Sequence, residues 1–215
     1  MDYLRQQPLN LEVPERAVVV GCGGVGSWVA LLLALSGTRV LELYDGDFVD
    51  TTNLARCPYT PRQLGENKAM ALRDLILQVR PEADVRANTM MATGMAVRQL
   101  AEQGFTVFDC TDNLRIQRTI AKAAPGRIRV GYDGTEASVT NGEVPEWGDG
   151  DETPRGPYNF VPTWAAGAVF AAALGVAYAH RGGQGLVSHD LDELVNRSGR
   201  DLEQAMRLQQ RVLPR

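Results

Sequence analysis

A chain of 215 residues, 44% hydrophobic and 22% charged, suits one large globular domain with a real core and small additions. Its net charge of −4 argues against general nucleic-acid binding, which favours a basic surface. Three scattered cysteines and two histidines, with no CxxC pair, argue against a structural zinc site and fit a reducing cytosol.

Residues 1–10 hold no apolar signal core, so the chain reads as cytoplasmic. Residues 1–15, with Pro8 and Pro14, read as an extended N-terminal arm. A body follows over residues 16–181, then a helical extension over 182–215. The body opens on AVVV at 17–20, a β-branched run that predicts a buried strand. Gly21, Gly23, Gly24 and Gly26 come next, then an apolar helix that stops at Ser36-Gly37. Strand, glycine turn and helix together form a phosphate-binding context. The backbone can approach an anion closely, and the helix N-terminus offers free N–H groups. The spacing Gly21-x-Gly23-x-x-Gly26 is shared by NAD, FAD and ATP proteins, and a turn used only for packing is the simpler alternative.

Residues 39–44 predict the second strand, ending at Asp45-Gly46-Asp47, where a carboxylate can accept hydrogen bonds from ribose. Residues 48–65 form a polar connection too long for a simple turn, and such connections are usually functional or disordered. A helix is predicted over 66–79, with Lys68 in its first turn. Arginine outnumbers lysine 20 to two, and a lysine there opposes the helix dipole. A phosphate-facing role explains it better than stability does.

Strands at 83–87, 105–109 and 127–132 alternate with helices at 94–103 and 113–124. The alternation predicts an α/β fold with a mostly parallel sheet covered on both faces. Asp112 and Asn113 follow the strand at 105–109, at the end where open α/β sheets bind ligands. The pattern then changes. Asn141-Gly142 signals a hairpin, residues 148–159 read as a mobile loop, and 164–180 as an apolar helix. That helix is short for a membrane span and reads as buried, so no membrane partner is expected. Residues 190–212 read as a polar amphipathic helix.

Four pieces, GCGGVGS at 21–27, DGDFVDTTNLAR at 45–56, GENK at 65–68 and DCTDN at 109–113, resemble the ThiF/MoeB-type adenylyltransferases. Ubiquitin-activating enzymes share that fold. The resemblance implies a Rossmann-like three-layer sandwich with an antiparallel hairpin extension and C-terminal helices. It also implies activation of a C-terminal carboxylate by ATP with Mg²⁺. The substrate would be a small ubiquitin-like or sulfur-carrier protein, or a peptide.

By that resemblance Gly21, Gly23, Gly24 and Gly26 hold the nucleotide phosphates and Asp45 the ribose. Asn53 and Arg56 contact phosphates, and Lys68 neutralises charge growing on the α-phosphate. Asp112 binds the metal, with Asp47 and Asn113 close to the nucleotide. A homodimer is implied too, with Arg5 of one subunit reaching the ATP of the other.

Two departures stand out. Cys57 replaces the usual glutamine after Arg56, and no cysteine follows Cys110 to take the acyl group as a thioester. Cys22 and Cys110 read as buried structural thiols, and Cys57 as a nucleophile only if exposed. The alternatives are adenylation of another carboxylate, such as one on a modified tRNA base, a non-catalytic nucleotide- or partner-binding module, and an NAD-dependent oxidoreductase.

Overall fold

The computed structural model describes residues 2–142 and 163–196. Its centre is a seven-stranded sheet of order 3-2-1-4-5-6-7. Strands β1 (Arg16–Val20), β2 (Val40–Tyr44), β3 (Asp84–Asn88), β4 (Thr106–Asp109) and β5 (Ile128–Asp133) are parallel. Strands β6 (Glu136–Thr140) and β7 (Leu186–Asp190) extend one edge antiparallel. Helices α1 (Gly24–Ser36), α2 (Lys68–Val79) and α5 (Ala165–His180) cover one face. Helices α3 (Gly94–Glu102) and α4 (Leu114–Ala123) cover the other. This is the mostly parallel, doubly covered sheet that the alternation predicts, and the Rossmann-like three-layer sandwich with an antiparallel extension that the resemblance implies.

Strand β1 shows why its sequence is apolar from Ala17 onward. Ala17 and Val19 enter the core under α1, α2 and α5, while Val18 and Val20 enter the core under α3 and α4. A strand buried on both faces has no polar side to display. Its neighbours are β2 on one side and β4 on the other, and the chain order reverses there. The crevice beyond the carboxyl ends of β1, β2 and β4 is therefore the switch point where such sheets bind ligands.

Helix α5 is buried against β5 as well as α1. A methyl group on Gly175 would lie 2.5 Å from a Val130 methyl, so the helix backbone sits directly on the strand. Among the described residues, no helix is long and apolar enough to cross a membrane.

Several elements differ from the sequence-based expectation. The arm is not extended: residues 7–9 form a 3₁₀ turn, and Asn10 closes it with φ of 49°. The hairpin turn is not Asn141-Gly142. It is Gly134-Thr135, between the paired residues Asp133 and Glu136. Asn141 instead clasps the 183–185 stretch, donating to the Gly183 carbonyl and accepting from the Gly185 N–H and Tyr178 hydroxyl. The stretch from 182 first adds β7 to the sheet, and helix begins only at Leu191. The expected loop at 148–159 and the rest of the helix expected over 190–212 lie outside the described residues.

Candidate active site

The glycine turn leaves β1 at Gly21, whose φ of 87° belongs to the left-handed region. A methyl group there would meet the Cys110 carbonyl oxygen at 2.9 Å, so the turn runs directly against the end of β4. Gly26 is tighter still, since a methyl group on it would fall 1.8 Å from the Gly21 carbonyl oxygen. Gly23 is the opposite case. Nothing lies within 4 Å of the position its Cβ would take, so this face of the turn is open.

Asp45 directly follows β2 and is 6% exposed. Its Oδ2 accepts the Cys22 N–H at 2.7 Å and its Oδ1 the Asp47 N–H at 2.8 Å. The carboxylate thus braces the glycine turn and keeps lone pairs for a further donor such as a ribose hydroxyl. Asn67 caps α2, with its Oδ1 accepting the N–H groups of Ala69 and Met70. Its Nδ2 donates to the carbonyls of Asp45 and Asp47, which ties the helix start to the acidic loop. Lys68 is the first residue of that helix. Its Nζ lies 3.2 Å from Asp47 Oδ2.

Arg56 lies over the start of α1. A methyl group on Gly24 would be 3.3 Å from Arg56 Cδ and 3.4 Å from both Arg56 Nε and the Tyr132 hydroxyl. The guanidinium donates to the Thr52 carbonyl at 3.1 Å, and the Trp28 indole N–H holds the Arg56 carbonyl at 2.9 Å. Asn53 is 3% exposed and its Oδ1 accepts the Asp50 N–H, so its carbonyl end shapes the loop. Asp112 is exposed in the loop after β4 and follows Thr111, whose methyl would lie 3.3 Å from a Cβ on Gly21 in the glycine turn. Asn113 caps α4, accepting from the Arg115 and Ile116 N–H groups.

Gly21, Gly23, Gly24, Asp45, Asp47, Arg56, Lys68 and Asp112 therefore gather at one end of the sheet. Arg5 does not join them. It is exposed on the arm, whose Tyr3 ring packs on Gly37 at the far end of α1.

Cys22 and Cys57 are buried within this frame, and Cys110 is half-buried. Burial raises the Cys22 and Cys110 pKa well above the ordinary thiol value. Cys57 is 6% exposed, and burial raises its pKa too, against smaller opposing pulls from Ser27, Arg56 and Lys68. The condition for a nucleophilic Cys57, exposure, is not met.

A model of the ThiF family matches residues 11–137. The chain belongs to the ThiF family. Ubiquitin-like modifier-activating enzyme 5 of Caenorhabditis elegans is 33% identical over 145 residues, 61% of this chain and 35% of that protein. The sulfur carrier protein ThiS adenylyltransferase of Escherichia coli is 30% identical over 110 residues, 51% of this chain and 44% of that protein. The chain thus spans under half the length of these relatives. Among solved structures, Escherichia coli MccB with ATP superposes with a TM-score of 0.60 at 19% identity, over 82% of this chain and 63% of that one. The Escherichia coli tRNA N6-threonylcarbamoyladenosine dehydratase with AMP gives 0.53 at 28% identity, over 60% of this chain and 59% of that one. Both of these structures were determined with an adenine nucleotide.

Asn67, which lies within GENK but has no role assigned there by the resemblance, and Tyr59, outside every motif, both touch the site. An asparagine just before an apolar helix is a legible cap signal. Tyr59 carries no such signal, because its role depends on what it meets in space.

Proposed function

We propose that this chain is an ATP-dependent adenylyltransferase that activates the C-terminal carboxylate of a small ubiquitin-like or sulfur-carrier protein, or of a peptide. The observation that carries the reading is the meeting of an open glycine turn, the Arg56 guanidinium over Gly24 and the Lys68 amine at one sheet end. Carboxylate and ATP are both anionic, so their reaction needs fixed cations around the phosphates. A carboxylate oxygen attacks the α-phosphorus, the bond to the β-phosphate breaks, and pyrophosphate leaves with the electron pair. The glycine turn holds phosphate through its N–H groups. Arg56 offers a planar fork for paired phosphate contacts. Lys68 turns from Asp47 to the charge that grows in the transition state. Asp45 takes the ribose, and Asn53, Asp47 and Asn113 shape the walls.

Mg²⁺ fits this donor set. It binds nucleotides through one or two carboxylates plus phosphate oxygens, and Asp112 presents one exposed carboxylate beside the turn. When bound there, the ion would neutralise phosphate charge. We further propose a homodimer in which Arg5 completes the partner's site, and a cytoplasmic location.

The names of the two curated relatives support a carrier-protein substrate. The tRNA dehydratase supports a second reading, adenylation of a carboxylate on a modified tRNA base. ATP–pyrophosphate exchange separates them. Exchange that appears only with carriers or peptides bearing a free C-terminus supports the proposal. Exchange only with tRNA moves the chain to the second reading, and exchange with neither rejects both.

A further inference from the structure

The long connection between β2 and α2 holds one buried side chain that touches two parts of the site at once. Tyr59 is 5% exposed, and its ring packs in the core with Cys22, Val25, Ala69 and Leu72. Its hydroxyl lies 2.7 Å from the Cys22 carbonyl oxygen and 3.2 Å from the Lys68 carbonyl oxygen. One phenolic proton serves one acceptor at a time, and the shorter contact identifies Cys22 as the main one. Burial pushes the phenol pKa up, so it stays a proton donor.

The chain around Tyr59 is built to hold it still. Pro58 precedes it. Thr60 and Gln63 form a reciprocal cap on the 3₁₀ turn that follows, and Gln63 Nε2 donates to the Ala71 carbonyl at 2.8 Å. The phenol is therefore fixed to helix α2 from behind.

Its contact with Cys22 has a directional consequence. The Cys22 carbonyl and the Gly23 N–H share one planar trans peptide, so they point in opposite directions. A carbonyl held inward by Tyr59 aims the Gly23 N–H outward. The turn is also open at Gly23, since nothing lies within 4 Å of the position its Cβ would take. On the other side of Cys22, its own N–H is held by Asp45 at 2.7 Å. Cys22 is thus fixed at both backbone groups, by the residue that directly follows β2 and by one further along the same connection.

We infer that Tyr59 is a positioning residue for phosphate recognition: by holding the Cys22 carbonyl it aims the Gly23 N–H at the nucleotide phosphates, and through the Lys68 carbonyl it keeps the lysine in register with the turn. This rests on the adenine-nucleotide reading of the site and adds a residue to it.

Tyr59→Phe removes the hydroxyl and keeps the ring. Binding of ATP, ADP and adenosine to the full chain is measured by calorimetry, with the melting temperature recorded alongside. The expected result is about tenfold weaker ATP and ADP binding with adenosine affinity unchanged, because one oriented donor to phosphate is lost. A purely structural role would lower the melting temperature and leave the ratio of ATP to adenosine affinity as in the wild type. That outcome overturns the inference. Should Tyr59→Phe fail to fold, Gln63→Ala loosens the same phenol from outside the turn. It is expected to lower the same ratio, and an unchanged ratio again overturns the inference. If the wild-type chain binds neither ATP nor ADP, the nucleotide reading itself fails, and this inference falls with it.

Discussion

Lys68 and Asp47 form an ion pair in which the lysine side chain is 12% exposed and the carboxylate 59% exposed, with 3.2 Å between Nζ and Oδ2. The amine is therefore largely enclosed by the site while its partner faces solvent. An exposed carboxylate is a weak competitor, and such pairs contribute about 1 kcal/mol or less. The amine can thus turn to a phosphate at little cost. Lys68→Ala is expected to lower the exchange rate by roughly 10²–10³-fold, as loss of one transition-state contact does. ATP affinity should fall far less. Stability should not fall, because a lysine at a helix N-terminus opposes the dipole. Wild-type turnover in this variant would make Lys68 a solvated residue with no chemical part.

The glycine turn gives a second, paired prediction. Gly26→Ala places a methyl group 1.8 Å from the Gly21 carbonyl oxygen, so backbone must move. The expected cost is about 3 kcal/mol, or roughly 6–12 °C in melting temperature for a domain of this size. Gly23→Ala meets nothing within 4 Å, and its φ of −78° lies outside the left-handed region. It should keep the wild-type melting temperature while ATP binding weakens about tenfold or more, since the methyl group occupies the face where phosphate is expected. Equal losses of stability in both variants would mean that the open face is not a ligand face.

These residues also show what the sequence could reveal. The glycine turn and Asp45 are local signals: a β-branched run, closely spaced glycines and an acidic strand end all lie within about one supersecondary unit. The expected hairpin turn at Asn141-Gly142 does not form, because that pair has the right composition but no directly following strand that folds back beside β6. Strand β7, from 45 residues further on, pairs with β6, and Asn141 was free to clasp residues 183–185. Strand β7 itself is LVSHD, mostly exposed at a sheet edge, so it lacks the apolar pattern of a buried strand. Tyr59 was silent for a related reason. Its three neighbours, Cys22, Lys68 and the core under α1, are brought to it only by the closed sheet.

The cysteines should be bystanders. Burial raises the pKa of Cys22, Cys57 and Cys110, so each remains a neutral thiol at physiological pH, and the thiolate is the reactive form. Iodoacetamide at about pH 7.5 is expected to leave Cys22 and Cys57 unlabelled in the folded chain and to label them after denaturation. Changing all three to Ala should preserve exchange activity if the protein folds. A thiol-sensitive carrier adduct on Cys57, found by mass spectrometry, contradicts an adenylation-only chemistry.

His180 gives a pH dependence of stability. It is 4% exposed at the end of α5, and burial lowers its pKa below the usual 6.5. The folded state therefore prefers neutral imidazole, while the unfolded chain takes up a proton near its ordinary pKa. The sign follows: the stabilisation is present above about pH 6.5 and is lost as pH falls through the lowered folded pKa. The wild-type melting temperature is expected to drop, as pH falls below about 6.5, more steeply than that of His180→Gln. Parallel curves for the two proteins would remove His180 from the account.

Arg5 supplies the last prediction, a site shared between subunits. The arm is fastened at the end of the body remote from its own glycine turn. The Tyr3 ring lies against Gly37 and 5.2 Å from the Arg80 guanidinium, and Arg181 donates to the Leu9 carbonyl at 3.1 Å. Helix α1, 13 residues long, runs from the glycine turn to Gly37 and so separates the two places by about 20 Å. A role for Arg5 in phosphate chemistry therefore requires a second copy of the chain. In an isologous pair each arm can reach the other's site. Arg5→Ala and Lys68→Ala subunits are then complementary, because in a mixed dimer both changes fall in the same site and leave the other intact. Random mixing in equal amounts makes half the dimers mixed, each with one intact site of two. Two nearly inactive variants should together recover about a quarter of wild-type exchange activity. Sedimentation as a monomer at micromolar concentration, or full activity of Arg5→Ala alone, removes the shared site.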